Sequence, residues 1–86
     1  MNFDEKKLEK TVNGITLSIQ IDEEFGLRYL HMGELNRRLK RFYKNYNSED
    51  NFKIHQQIFK YAVSYLEKRG WTEASLEGEV GYLVTI

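Results

Sequence analysis

The sequence predicts an α+β fold: a two-layer sandwich in which an antiparallel sheet, built from an N-terminal and a C-terminal β-hairpin, packs on an antiparallel helical pair. Three observations carry this. Asn13-Gly14 interrupts an alternating apolar and polar stretch near the start of the chain. Residues 33–69 switch to a helical period, and a second alternating stretch, interrupted at Gly78, closes the chain. The expected order is β-β-(β)-α-α-β-β in one domain over residues 1–86.

Residues 1–7 are polar and read as a frayed end. Leu8, Lys10 and Val12 then start an alternation that resumes after Asn13-Gly14 as Ile15, Leu17, Ile19 and Ile21, with Thr16, Ser18 and Gln20 between them. Asn-Gly suits a type I′ turn, which needs positive φ at both central residues, so strands are expected near 7–12 and 15–22. Residues 22–26 read as a turn. Residues 27–31 are either a short third strand or a connection.

From Gly33 to Tyr46 the apolar residues Leu35, Leu39, Phe42 and Tyr46 recur at helical spacing, with Tyr43 on the shoulder. The opposite side carries Arg37, Arg38, Lys40, Arg41 and Lys44. A short link follows, where Asn47 or Ser48 suits an N-cap and Glu49-Asp50 complements the positive end of the next helix.

The stretch from Phe52 to Leu66 spreads apolar residues over roughly 200° of a helical wheel, where a helix packed on one neighbour needs about 100°. This helix therefore covers two surfaces. Its end, Lys68-Arg69-Gly70-Trp71, fits a Schellman cap with Gly70 left-handed and Trp71 folded back on Leu66. Residues 72–76 and 80–86 read as strands about a glycine-first turn of type II′ character at Gly78-Glu79. Gly81, inside the last strand, signals a bulge or a close backbone approach.

A composition of 41% hydrophobic and 14% aromatic residues is that of a folded chain, because disordered chains lack the large apolar residues that offset chain entropy. There is no cysteine, which removes disulfides, thiolate metal sites and cysteine nucleophiles. No apolar run reaches membrane-spanning length, and no apolar segment follows the first lysines as in a secretion signal. The expectation is a soluble cytoplasmic protein.

Function is less legible. The two histidines, His31 and His55, have no partner at metal-ligand spacing. Glu23-Glu24 and Glu77 with Glu79 flank turns, and a carboxylate pair for acid–base work would need a burial that turns do not provide. Gly78 and Gly81 lack the pattern of a phosphate-binding loop. No catalytic constellation, metal, cofactor or small-molecule substrate is expected, and the protein reads as a non-enzyme.

Two surfaces remain. One is the excess apolar arc of the second helix, Ile54, Ile58, Tyr61 and Tyr65, in a residue mixture suited to a protein partner or a second copy of the chain. The other is the basic side of the first helix, Arg37, Arg38, Lys40, Arg41 and Lys44, with Tyr43 and Tyr46 nearby and Arg28 and His31 upstream, suited to nucleic acid or an acidic partner. Net charge is zero, but residues 27–46 carry +5 while residues 1–26 and 70–86 each carry −3. Duplex readout by the second helix of a helix-turn-helix is disfavoured, because Glu49-Asp50 would meet phosphates. The favoured expectation is an interaction module, an adaptor, inhibitor or regulator with a homodimer among its forms. The alternative is a nucleic-acid-binding accessory protein.

Overall fold

The computed structural model of the chain describes residues 3–46 and 51–85. Its elements are α1 (Glu5–Ser18), β1 (Leu27–His31), α2 (Met32–Arg38), α3 (Lys40–Tyr43), α4 (Asn51–Lys68), β2 (Thr72–Leu76) and β3 (Glu79–Thr85), with a 3-10 turn at Lys44–Tyr46. The three strands form one antiparallel sheet in the order β1-β3-β2 with helices packed against it, an α+β fold as expected. Residues 47–50, which include the expected N-cap and the Glu49-Asp50 pair, lie outside the described residues.

The N-terminal hairpin is replaced by a helix. Asp4 caps α1 by accepting from the Lys7 amide at 3.0 Å, and Glu5 follows in the first turn. Leu8, Val12 and Ile15 are all buried, at i, i+4 and i+7. The same stretch satisfies two periods at once, and the strand reading required Leu17 and Ile21 to share the buried face. They are 74% and 41% exposed. Asn13 is not a turn residue: its side-chain amide donates to Tyr65 Oη at 2.8 Å, tying α1 to α4. Nor are residues 3–7 frayed, since Phe3 is buried and the Asp4 amide donates to Tyr46 Oη at 2.9 Å.

The later elements follow the sequence more closely. Residues 27–31 are a strand, paired with β3 so that Leu30 faces Tyr82. The helix expected over 33–46 is present in pieces, tightened at Leu39, with Leu35, Leu39, Phe42 and Tyr43 buried. At the end of α4 the Trp71 amide donates to Leu66 O and the Gly70 amide to Glu67 O, both at 3.0 Å, with Gly70 at φ 93°. That is the Schellman pattern. The hairpin loop is Glu77-Gly78, one residue earlier than expected. Both residues have positive φ (52° and 81°), so the turn is type I′, the form whose twist matches the flanking strands.

Leu30 and Tyr82 point from the sheet into the core, where they meet Leu8, Leu35, Leu39, Ile58 and Leu66. On the other face Tyr29 lies over Gly81. A Cβ at Gly81 would stand 2.6 Å from Leu30 O and from the Tyr29 ring and hydroxyl. Tyr29 Oη donates to Glu79 O at 3.1 Å and stands 3.4 Å from Ala74 O, so one side chain touches both strands of the hairpin. The close approach anticipated from Gly81 is thus real.

Two glycine substitutions should move stability in opposite directions in urea denaturation. Gly81→Ala forces a methyl group into filled space and should cost about 1–3 kcal/mol. Gly14→Ala, inside α1 with nothing within 4 Å of the new Cβ, should raise stability by about 1 kcal/mol through helix propensity.

Candidate functional site

The second surface that α4 covers belongs to the chain itself. Ile58, Ala62 and Leu66 are fully enclosed. Tyr61 Oη donates to Glu9 Oε2 at 2.6 Å, and Phe3 stands edge-on to the Tyr61 ring at 5.7 Å. Tyr65 accepts from Asn13 and carries the Arg69 guanidinium 5.8 Å above its ring. Ile54 is half-buried against the core. Of the four residues expected to receive a partner, Ile58 is inaccessible, and the hydroxyls of Tyr61 and Tyr65 are engaged by α1. The excess arc exists, but α1 occupies much of it. Its exposed remainder is Phe52, at 76% exposure.

Phe52 stands at the rim of an open, mainly apolar groove of about 1070 Å³ between α2–α3, α4 and the hairpin. Its walls include Met32, Lys40, Phe59 and Val80, together with both histidines. His31 Nδ1 lies 2.9 Å from Glu79 Oε2 and its ring meets Tyr29 edge-on. The His55 ring stacks on Tyr43 at 4.5 Å, with Nε2 3.2 Å from Tyr43 O. Each histidine therefore has a structural partner, and the described residues contain no cluster of three groups able to hold a metal ion. Tyr43 donates to Asn36 Oδ1 at 3.0 Å, and burial pushes its phenol up to about 12.

The basic side of α2–α3 divides. Lys40 faces the groove, whereas Arg37, Arg38 and Arg41 line a separate cleft of about 610 Å³ against α1, which adds Lys7, Thr11 and Gly14 to its wall. Arg37 is forked onto Glu34 (3.0 and 2.6 Å), which holds the Glu34 carboxyl below its ordinary range. Arg38 Nη1 donates to Ser18 Oγ at 2.5 Å. Lys44 is exposed and lines neither depression. Arg28 and His31, grouped with this face in the sequence, sit in β1; His31 shares the groove with Lys40, and neither lines the cleft.

Lys7, Phe52, Phe59 and Val80 are the contributors that sequence reasoning did not select. Lys7 would have been found by reading Leu8, Val12, Ile15 and Ile19 as helical spacing after an Asp4 cap. No protein-family model, curated protein or solved structure matches this chain significantly.

Of the six tyrosines, burial raises Tyr43 and Tyr82, while the hydrogen bond to Glu9 followed by burial raises Tyr61. A raised phenol in the folded state contributes stability that is complete below the unfolded value near 10 and is lost as pH climbs through the folded value. Absorbance titration at alkaline pH should show a late-titrating group of tyrosines, and Tyr43→Phe should remove one of them. Six phenols titrating together in the folded protein would contradict this.

Proposed function

We propose that this chain is a non-enzymatic protein-interaction module that docks through the groove between α2–α3, α4 and the hairpin, with a second copy of itself as occupant. We also place it in the cytoplasm, a reducing compartment that a cysteine-free sequence fits. The observation that carries the docking reading is a knob beside a hole. Phe52 is 76% exposed at the rim of an apolar groove, and Val80, 42% exposed, forms part of its wall. A surface holding both is self-complementary, as a two-fold contact requires.

Charge supports the same occupant. Glu79 and His31 mark the groove where α2 begins, and Lys40 lies roughly 12 Å further on by helical rise. A two-fold axis crossing the groove lays the Glu79 end of one copy against the Lys40 end of the other. Burying one Phe52 contributes up to about 3 kcal/mol, hence about 6 for a symmetric pair. Association costs about 4–15 kcal/mol in lost freedom, so the dimer is a weak one that the remaining groove contacts must complete.

Sedimentation equilibrium across micromolar to millimolar protein should reveal a reversible monomer–dimer equilibrium. Phe52→Asp or Val80→Asp should weaken it at least tenfold while leaving thermal melting unchanged, since both side chains are exposed. Ile58→Asp should instead unfold the chain. A wild-type protein that stays monomeric throughout this range refutes the proposal.

A further inference from the structure

We infer that the cleft between α1 and α2–α3 binds the phosphodiester backbone of a nucleic acid. Lys7, Arg37, Arg38 and Arg41 border it, and no carboxylate is among its described lining residues. Glu34 engages Arg37, but among the described residues no acid lies within ion-pair distance of Lys7, Arg38 or Arg41. Ser18 holds one nitrogen of the Arg38 guanidinium, which fixes its position and leaves its remaining N–H groups to donate. The cleft thus combines two positioned guanidiniums, Arg37 and Arg38, with the exposed cations Lys7 and Arg41.

Arg37, Arg41 and Asn45 recur at four-residue spacing along the broken helical passage, which spreads the donors over roughly 12 Å at helical rise. A single small anion calls for donors converging on one point, whereas donors spread along a line suit a repeating polyanion. The only aromatic among the described lining residues is Phe42, at 4% exposure, so bases find no ring there to stack on. Contact with phosphates alone carries no sequence information. Binding should therefore be indifferent to sequence, and duplex should bind at least as well as single strand. The acidic hairpin residues Glu73, Glu77 and Glu79 lie on and between β2 and β3, outside the cleft's described lining.

The test is fluorescence anisotropy of the full chain with a labelled duplex of about twenty base pairs, long enough to span the row of phosphate contacts. Three or four such contacts should make log K fall with log salt at a slope of about −2.7 to −3.6. Arg38→Glu with Arg41→Glu should abolish binding. Gly14→Glu places a carboxylate in the cleft without removing a cation, at a position open to a side chain, and should weaken binding at least tenfold while the fold is retained. Lys60→Glu lowers the net charge by two, against one for Gly14→Glu, but does so outside the cleft and should leave affinity within twofold.

No binding at low salt overturns the inference. So does a loss with Lys60→Glu equal to that with Gly14→Glu, which would mark diffuse electrostatics. Displacement of the duplex by inorganic phosphate or by anionic-lipid vesicles as readily as by unlabelled duplex also overturns it, by reassigning the cleft to another anion.

Discussion

Everything in this fold depends on α4 being held from two sides. Its Ile58–Ala62–Leu66 stripe is sealed within the core, and its tyrosine edge is tied to α1 through Tyr61–Glu9 and Tyr65–Asn13. A helix greasy over so wide an arc cannot stand against one neighbour, because the remaining surface would lie open to water. In a chain of 86 residues, with little core to spare, the first helix must serve as that second wall. The position of α1 then fixes the basic cleft, since Lys7, Thr11 and Gly14 form one of its sides.

The helical passage from Met32 to Tyr43 performs three tasks with three stripes. Leu35, Leu39 and Phe42 enter the core; Asn36, Lys40 and Tyr43 face the apolar groove; Arg37, Arg38 and Arg41 face α1. A period near 3.6 allows this partition, because residues one apart differ by about 100° and land on different sides. The broad basic face of the sequence is, in three dimensions, two surfaces. The protein–protein and nucleic-acid readings consequently rest on separate residues, and substitutions can test one without touching the other.

What the sequence disclosed and what it hid have the same physical root. The α4 wheel, its Schellman cap and the C-terminal hairpin were legible, because each depends on residues adjacent along the chain. The N-terminal helix was hidden, because Asn13-Gly14 between alternating residues is a strong local hairpin signal while Leu8, Val12, Ile15 and Ile19 satisfy the helical period equally. Tertiary packing on α4 decided between them, and that contact lies 52 positions away in sequence at Asn13–Tyr65. The site suffered from the same error. With residues 7–12 and 15–22 read as strands, Lys7 falls at a polar chain end and α4 lacks its second wall; as a helix, α1 puts Lys7 on the cleft and covers the tyrosine edge of α4.

The Tyr29 ring above Gly81 has a consequence for how the sheet is assembled. A three-stranded sheet covered on one face could in principle slide by one residue, exchanging its inner and outer side chains. Sliding β3 beneath that ring would bring Val80 or Tyr82 where only a hydrogen atom fits, so misaligned pairings are excluded by volume rather than by weaker bonding. Position 81 therefore acts as a molecular keyway: a place already filled by its neighbours, where any side chain must displace the Tyr29 ring or the Leu30 carbonyl, which favours a single alignment of the strands.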